Sequence, residues 1–416
     1  MPVTNPIANP DQFAAEAEVR AMWQQPETRV ARDHCAQLWR VGHGTDVPPQ
    51  VEPLFDAAMD AWVSNYLFKG AARCPVRPRF VRNFMPAHAW QDGVVPDARM
   101  GGDNPDNCYR LAGIAHGGRY RVTGRIIDAR PAHASFTLVE NWGTSQTVQT
   151  VELPGIDVDA DGRFTLTIDD QPAAGRPNHL TTNPRVKFLF VRDSMMDWAA
   201  ESPLHLAIER IDTPVAAPLS LEDRLAEALR RAREEVPLYY WFFRLSAGHA
   251  VNSMPQPIRT ASVGGLVTQA TSLGRLHLTE DQAAIVRFDP AGAAYNSLQM
   301  AMWWYRSIDA DRLQSGLTAT QAARDPDGRI TAVISARDPG IGNWVQTDGL
   351  RDLLPMIRWQ GLPAAPEGQG PAHRLDVVPF AQLDANLPAG IARVTAAERA
   401  VQIAERRAAW ARRIKA

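Results

Sequence analysis

The densest group of polar side chains in the sequence lies in the stretch DNPDNCY, from Asp103 to Tyr109. A loop at the edge of a sheet can hold a ligand with such donors and acceptors, so we predict Asn104 and Asn107 as substrate-binding residues. Asp106 and Tyr109 are predicted as catalytic residues for proton transfer. The alternative is an Asx-turn that begins a strand, which the Asn-Pro pair favours.

Histidine is the side chain that most readily exchanges protons near neutral pH. His116 and His133 lie at predicted strand turns, and His249 lies in a polar loop after an aromatic segment. We predict His116 and His249 as catalytic acid or base groups and His179 as a substrate-binding residue. A lone turn histidine is more often simply solvated, and that alternative stays open. No His-x-His or HExxH pattern is present, so the sequence predicts no metal site.

Aromatic residues are concentrated in two stretches, LYYWFFRL (238–245) and MAMWWYRS (300–307). In a strand through 302–305, Trp303 and Tyr305 would share one face and Trp304 the other, so one face could line a pocket. We therefore predict Tyr240, Trp303 and Tyr305 as substrate-binding residues. Core packing between a sheet and a helix is the alternative.

Arginines accompany these aromatic segments, at Arg244, Arg306 and Arg358. A guanidinium group there could hold a carboxylate or a phenolate, or stack on a ring. Pairing with an interior Asp or Glu is the alternative. Of the three, Arg358 is predicted to bind substrate.

Motifs for covalent or nucleotide-dependent chemistry are missing from the sequence. It has no Gly-x-Ser-x-Gly elbow, no Gly-x-Gly-x-x-Gly and no Walker lysine, and its three cysteines are far apart. The sequence therefore predicts no cofactor. An enzyme of this kind would be a lyase or hydrolase that uses acid/base and oxyanion groups.

The acidic stretch DVDADGRFTLTI (157–168) resembles the start of an EF-hand calcium loop, but its twelfth position is Ile168 instead of glutamate. The sequence recurs further on, because DADGRFTLTIDDQPAAGRPNHLTT (159–182) is similar to DPDGRITAVISARDPGIGNWVQT (325–347). Both copies keep Asp-Gly before an alternating strand. We predict a hairpin turn here, in which glycine adopts a positive φ.

Both copies continue into an apolar strand that ends on an arginine, Arg192 or Arg358. A repeat of about 85 residues is too long for a solenoid unit and suits one β-sandwich module, so we predict two related modules. The copies differ at Asn178-His179 against Asn343-Trp344. Because chemistry is expected where the copies differ, Asn343 and Trp344 are also predicted as substrate-binding residues.

The periodicity of apolar residues predicts an α+β chain with two duplicated antiparallel β-sandwich modules. Apolar residues recur at three- and four-residue intervals in the first hundred residues and at alternate positions in the modules. The predicted regions are an N-terminal helical region (1–98), module 1 (99–212), a helical connector (213–280), module 2 (281–362), and a linker with a C-terminal helix (363–416).

Composition excludes several classes of protein. With 44 Lys+Arg against 46 Asp+Glu and a net charge of -2, the chain has no electrostatic reason to bind nucleic acid or an anionic membrane. No apolar run approaches the roughly 18 residues of a membrane span, and no leader pattern begins the sequence. We expect a cytoplasmic protein whose partner is a small molecule or another protein.

Two segments carry a resemblance to a known family. DNPDNCYRLAGI (103–114) with GGRYRVTGR, and DPDGRITAVISARDPGIGNWVQTDG ahead of MIRWQ, look like the uncharacterised domain-of-unknown-function family 1214. The resemblance covers roughly residues 100–210 and 280–362 and implies a jelly-roll-like β-sandwich with helical additions. It implies no established reaction. The Asn-Trp element of the family is complete only in the second copy.

Three functions remain open at this stage. The first is a cofactor-independent enzyme that acts on a hydrophobic, aromatic or polycyclic small molecule. The second is a non-catalytic carrier or carbohydrate-type binding protein, because fold alone does not specify function. The third is an assembly protein whose modules and basic terminal helix form a homo-oligomer.

Overall fold

The computed structural model describes residues 6–90, 93–143, 145–214, 216–259, 266, 268–363 and 370–413. Within these ranges the chain forms two β-sandwich modules of the same topology, flanked by helices. The predicted fold class is therefore confirmed. None of the helices in the described ranges has both the length and the apolar character needed to cross a bilayer.

Helices precede the first module: α1 (Pro10–Trp23), α2 (Pro26–His43) and α3 (Phe55–Ala72). α1 begins where the side chain of Asn9 accepts a hydrogen bond from the backbone N–H of Gln12, and both α1 and α2 have proline at their first position. α3 is buried on all sides from residue 61 to its end, as expected of a helix inside a core, and only its first turns expose polar side chains such as Asp56 and Asp60. The predicted helical region is helical only to Ala72, because the proline-rich stretch that follows forms short strands instead.

The first module contains two sheets and a separate short hairpin. Its strands are β1 (Val81–Arg82), β2 (His88–Trp90), β3 (Gly93–Val95), β4 (Asn107–Gly113), β5 (Tyr120–Arg125), β6 (His133–Val139), β7 (Thr147–Glu152), β8 (Arg163–Asp169), β9 (His179–Thr181), β10 (Phe188–Ser194) and β11 (His205–Arg210). The larger sheet has the order β1-β4-β10-β6-β7, the smaller has the order β11-β5-β8-β9, and β2 pairs with β3. Within these sheets only β8 and β9 run parallel.

Two helices, α4 (Leu221–Glu234) and α5 (Val236–Ala247), connect the modules. The second module has the strands β12 (Ile258–Arg259), β13 (Ala270–Leu273), β14 (Leu276–His277), β15 (Gln282–Phe288), β16 (Tyr295–Met302), β17 (Arg306–Ser307), β18 (Gly316–Thr318), β19 (Ile330–Ser335), β20 (Trp344–Gln346), β21 (Asp352–Gln360) and β22 (His373–Pro379). Its larger sheet has the order β12-β13-β21-β16-β17, to which β14 and β18 add, and its smaller sheet has the order β20-β19-β15-β22. The helices α6 (Leu383–Asn386) and α7 (Ala396–Arg412) follow.

The two modules correspond strand by strand. β1, β4, β10 and β6 of the first large sheet occupy the places of β12, β13, β21 and β16, and the small sheets match in the same way, including one parallel pair each. The duplication expected from the repeat therefore extends over 81–210 and 258–379. Module 2 is longer than the predicted 281–362 because its outer strands are short or lie beyond the Pro/Gly-rich stretch.

The asparagine shared by the two copies has the same structural role in each. Asn178 accepts a hydrogen bond from the backbone N–H of Asp157 at 2.8 Å and donates to its carbonyl oxygen at 3.0 Å. Asn343 makes the same two bonds to Ala323, at 2.8 and 2.7 Å. In both modules this side chain holds the loop that precedes the Asp-Gly turn against the parallel strand pair.

The Asp-Gly segment is a turn in both copies, with φ of 75° at Gly162 and 83° at Gly328. The carboxylate of Asp159 accepts hydrogen bonds from the backbone N–H groups of Asp161 and Arg163, so it serves the turn. The turn prediction is confirmed, but the hairpin prediction is wrong. β8 pairs with β5 and β9, and the segment entering the turn is irregular.

The predicted strand through 302–305 is also wrong, because β16 ends at Met302. Trp303, Trp304 and Tyr305 form a turn in which all three side chains are buried and Tyr305 has a φ of 55°. The indole N–H of Trp304 donates to the carbonyl oxygen of Val51 at 2.6 Å, which ties the turn to the N-terminal region.

The hydrophobic core has three main parts. One lies between the two sheets of each module, and a third fills the space between the modules, the N-terminal helices, α4 and α5. In the large sheets both faces are buried: Leu189 and Val191 of β10 face the interior of module 1, whereas Phe188 and Phe190 face the third core. The outer faces of the large sheets are thus turned towards the other parts of the molecule.

His43, at the end of α2, gives this third core a dependence on pH. It is 3% exposed, it packs against Phe243 and Trp304, and burial lowers its pKa to about 4. Because its folded pKa lies below the unfolded value of about 6.5, the unfolded chain binds more protons as the pH falls from 6.5 towards 4, and stability is lost in that window.

We expect His43→Leu to reduce the loss of unfolding free energy between pH 6.5 and 4.5 by roughly 1–3 kcal/mol, as followed by urea unfolding. His34→Leu, on the exposed face of the same helix, is the control and should leave the pH dependence unchanged. Parallel pH curves for His43→Leu and the unsubstituted protein would contradict the assignment.

Candidate functional site

A cavity of about 240 Å³ lies between the two modules, beside the outer faces of their large sheets. Strands β4, β10, β13 and β21 contribute to its walls, together with α5, the loop of residues 101–103, Gly143 and Ser145. We call it the interface cavity. Its lining residues are Phe84, Gly101, Gly102, Asp103, Asn107, Tyr109, Gly143, Ser145, Phe190, Arg192, Tyr239, Phe242, Leu245, Leu266, Gln269, Thr271, Leu273, Tyr305, Arg358 and Gln360.

Equivalent residues of the two modules meet at this cavity. Ser194 at the end of β10 donates a hydrogen bond to the side-chain oxygen of Gln360 at the end of β21, and the two positions are equivalent at the repeat offset of 166. Two residues earlier on each strand stand Arg192 and Arg358, at the same offset. Because side chains two apart share a face of a strand, both arginines point to the side where the modules meet.

Arg192 is half-buried and lines the interface cavity without an ionic partner. Its guanidinium lies over the ring of Phe190 at 4.2 Å, and it makes no hydrogen bond or ion pair with any residue in the described part of the chain. The pKa of Arg192 is lowered to about 10, chiefly by burial; the neighbouring hydroxyls of Tyr109 and Tyr239 oppose this shift, and the charge of Arg358 adds to it. The group remains a cation at neutral pH.

Arg358 is held by neutral acceptors. Its guanidinium donates to the side-chain oxygen of Gln299 at 3.1 Å and to the carbonyl oxygen of Gly102. Gly102 in turn donates its backbone N–H to the carbonyl oxygen of Tyr305 at 2.7 Å. These contacts orient Arg358 but leave its charge without a compensating carboxylate among the described residues.

The glycine pair at one end of the cavity is required by close packing. Gly101 and Gly102 have φ of 65° and 67°. A Cβ atom at Gly101 would lie 2.2 Å from the ring of Tyr239, and one at Gly102 would lie 2.9 Å from the ring of Tyr305. The backbone therefore approaches the two cavity tyrosines more closely than any other residue type permits.

Six aromatic side chains supply most of the apolar wall: Phe84, Tyr109, Phe190, Tyr239, Phe242 and Tyr305. The rings of Tyr109 and Phe190 are stacked, with centroids 5.6 Å apart and planes inclined by 8°. Tyr239 donates its hydroxyl to the carbonyl oxygen of Gly143 at 2.8 Å, which fixes α5 against the first module.

The hydroxyl of Tyr305 has no hydrogen-bond partner within the described ranges. Burial raises the pKa of Tyr305 to about 12, although the charge of Arg358 opposes the shift. The group is therefore protonated at neutral pH and can donate a hydrogen bond into the cavity.

Four of the predicted site residues line the interface cavity, namely Asn107, Tyr109, Tyr305 and Arg358. The buried side-chain oxygen of Asn107 has no partner in the described chain, so it can accept a hydrogen bond there. The other predicted residues lie elsewhere, and most of them have evident structural roles.

Asp106 and Asn104 belong to a buried network behind the cavity. The carboxylate of Asp106 accepts from the Tyr295 hydroxyl at 2.6 Å, the Gln299 amide at 2.9 Å and the Trp198 indole at 3.0 Å. Asn104 bonds to the Tyr295 hydroxyl at 2.8 Å and to the Gln299 amide. Since every oxygen of Asp106 is occupied by a donor, the network joins the first module to β16 of the second.

The predicted histidines do not converge on the cavity. His116 is exposed in a turn beside Thr182, and His249 is half-buried after α5. His179 is buried beneath the loop of module 1, where its ring bonds to Thr167 at 2.8 Å. His133 is buried on β6, 3.4 Å from Glu152.

The remaining predicted residues have structural contacts outside the cavity. Tyr240 lies against Trp39 of α2, and Trp303 lies beside Phe243. Trp344 donates its indole N–H to the carbonyl oxygen of Ser335. Of the other two arginines, Arg306 pairs with Asp97 at 2.8 Å and Arg244 is exposed.

Sequence reasoning missed Arg192, Phe190, Tyr239 and the glycine pair as parts of a site. A signal for Arg192 was present, because the repeat places it at the position of Arg358, at the end of an apolar run. Tyr239 lies in the aromatic stretch 238–245, but its closeness to the glycine pair depends on how α5 packs against the first module, which the sequence does not show.

The fold defines a duplicated β-sandwich protein with helical additions. No protein-family model matches the chain, and no curated protein matches it. The chain is similar to a putative uncharacterized protein from Burkholderia cenocepacia, at 25% identity and a TM-score of 0.70, over 88% of this chain and 99% of that one. The resemblance to family 1214 stays a prediction.

A second solved structure, the VPA0106 protein from Vibrio parahaemolyticus, shares 11% identity with a TM-score of 0.42, over 77% of this chain and 99% of that one. Neither printed description states an activity. The function must therefore be argued from the cavity itself.

We predict that Asp106→Asn lowers the free energy of unfolding by roughly 2–4 kcal/mol, because one carboxylate oxygen becomes an amide donor that faces other donors. Asp161→Asn, on the exposed turn of module 1, is the matched control and should cost less than about 0.5 kcal/mol. Equal unfolding curves for the two variants would show that the network adds nothing to stability.

We predict that Gly101→Ala is more destabilising than Gly175→Ala, by about 1–3 kcal/mol. Both positions have a positive φ, but no atom lies within 4 Å of a Cβ at Gly175, whereas the ring of Tyr239 blocks a Cβ at Gly101. Chemical denaturation of the two variants checks the difference. A cost at Gly101 no larger than that at Gly175 would mean that Tyr239 moves aside freely.

Proposed function

We propose that this protein binds a small organic molecule with an aromatic or similarly flat apolar body in the interface cavity. The observation that carries the proposal is the cavity wall, in which six aromatic rings surround a few convergent polar groups. Ligand pockets in proteins have this character, being mostly apolar with a small number of polar groups that orient the ligand.

The size of the cavity limits the ligand. Its volume is about 240 Å³, and a cavity of about 150 Å³ is enough to bind benzene. One ring with substituents therefore fits, whereas a polycyclic ligand would need the walls to open. Several of its lining residues, among them Ser145, Phe242 and Leu245, are only half-buried, so the cavity is not sealed from solvent.

The second candidate is a cofactor-independent enzyme of the lyase or hydrolase type. The observation that favours it is the free hydroxyl of Tyr305 beside Arg358, a proton donor next to a fixed positive charge. Binding is preferred because Asp106, His116 and His249 lie outside the cavity, so the expected acid/base set does not converge there.

We predict that ligand-observed NMR with a panel of substituted monocyclic aromatic compounds detects binders, and that Leu273→Trp weakens them at least about tenfold because the larger side chain fills the cavity. Leu219→Trp makes the same exchange at an exposed site and is the control. Following the same samples over time detects turnover and so separates the two candidates. If Leu273→Trp and Leu219→Trp bind the panel equally well, the interface cavity is not the ligand site.

A further inference from the structure

We infer that the ligand of the interface cavity carries a carboxylate, which the guanidinium groups of Arg192 and Arg358 hold from the two modules. This inference rests on the proposed function, since it specifies the charge of a molecule already placed among the aromatic rings. The ligand class is thus a small aryl or similarly apolar carboxylic acid in its anionic form.

The charge of Arg192 is not balanced by a carboxylate among the described residues. Buried arginines elsewhere in the described chain meet carboxylates, as Arg110 meets Asp193 and Arg99 meets Asp97, or they donate to carbonyl groups, as Arg413 does to Pro105. Arg192 has only the face of a phenyl ring. Because its guanidinium lines the cavity and has no acceptor among the described residues, an anion that enters the cavity can accept charge-assisted hydrogen bonds from it.

The acidic side chain among the lining residues already accepts hydrogen bonds from other groups. Asp103 lines the cavity, but its two oxygens accept hydrogen bonds from the backbone N–H and the hydroxyl of Ser307, at 2.9 and 2.6 Å. The charge of Arg99 acts on Asp103 and favours its ionised form, although burial raises the pKa of Asp103 overall. Asp103 thus has partners of its own and makes no ion pair with Arg192 among the described residues.

The groups around the cavity also match the shape and the hydrogen-bonding pattern of an aryl carboxylate. A guanidinium group presents a planar fork of donors that matches a carboxylate, and Arg358 is already oriented by Gln299 and Gly102. The free hydroxyl of Tyr305 offers a further donor, and the stacked Tyr109 and Phe190 offer a flat surface for a ring. A benzoate-like molecule uses all of these groups at once.

The test compares benzoate with benzamide, which has the same ring and no charge, by isothermal titration calorimetry at fixed ionic strength. We expect the full-length protein to bind benzoate at least about tenfold more tightly than benzamide. Arg192→Met should abolish that preference while changing benzamide affinity less than about threefold, and Arg192→Lys should keep part of it. Arg185→Met, at a 75% exposed position just before β10, is the control and should keep all of it.

A second readout separates binding from a structural role. Without ligand, Arg192→Met should be as stable as the unsubstituted protein or more stable, because it removes an uncompensated charge and keeps the apolar stem. A loss of stability in Arg192→Met would indicate a structural arginine and would overturn the inference.

The outcomes also distinguish the inference from the proposed function. Equal affinity for benzoate and benzamide, abolished by Leu273→Trp, overturns the carboxylate inference and supports the cavity as a site for neutral rings. Benzoate binding that Leu273→Trp leaves intact overturns both. No binding of either compound overturns the inference, and the aromatic panel then decides the proposed function alone.

Discussion

The contact between the outer faces of the two large sheets is the constraint on which the rest of the structure depends. Each of these sheets uses one face for the interior of its own module and the other for the neighbouring module and helices. A sheet buried on both faces must be apolar on both, which is why β10 and β21 read as nearly continuous apolar runs. The charged residues within these runs are correspondingly exceptional.

Duplication adds a second constraint, because it places equivalent residues of the two modules opposite one another. The contact between Ser194 and Gln360 shows this directly, and it brings Arg192 and Arg358 to the same cavity. Two like charges near an apolar interface are unfavourable, and the charge of Arg358 contributes to the lowered pKa of Arg192. Arg358 donates to the carbonyl oxygen of Gly102, whereas Arg192 has no equivalent acceptor among the described residues.

The difference between Arg192 and Arg358 arises from loop contacts, such as the bond from Arg358 to Gly102. Contacts of this kind limit what can be predicted from the sequence. The alternating pattern and the repeat were enough to predict two antiparallel modules, because both can be recognised directly in the order of residues along the chain. The stretch DNPDNCY looked like a ligand loop, but whether its polar groups are free depends on Tyr295 and Gln299, almost two hundred residues away. A sequence shows which groups can form hydrogen bonds and does not show which of them already have partners.

The same distinction separates structural from functional polar residues inside this molecule. Asp106 is surrounded by donors from both modules, so its charge is fully used by the fold. Arg192 contributes no such bond, because its guanidinium lies over the ring of Phe190 and has no acceptor in the described part of the chain. Fold stability therefore supplies a reason for Asp106 and none for Arg192. The proposed carboxylate ligand would use that charge, since Arg192 lines the interface cavity.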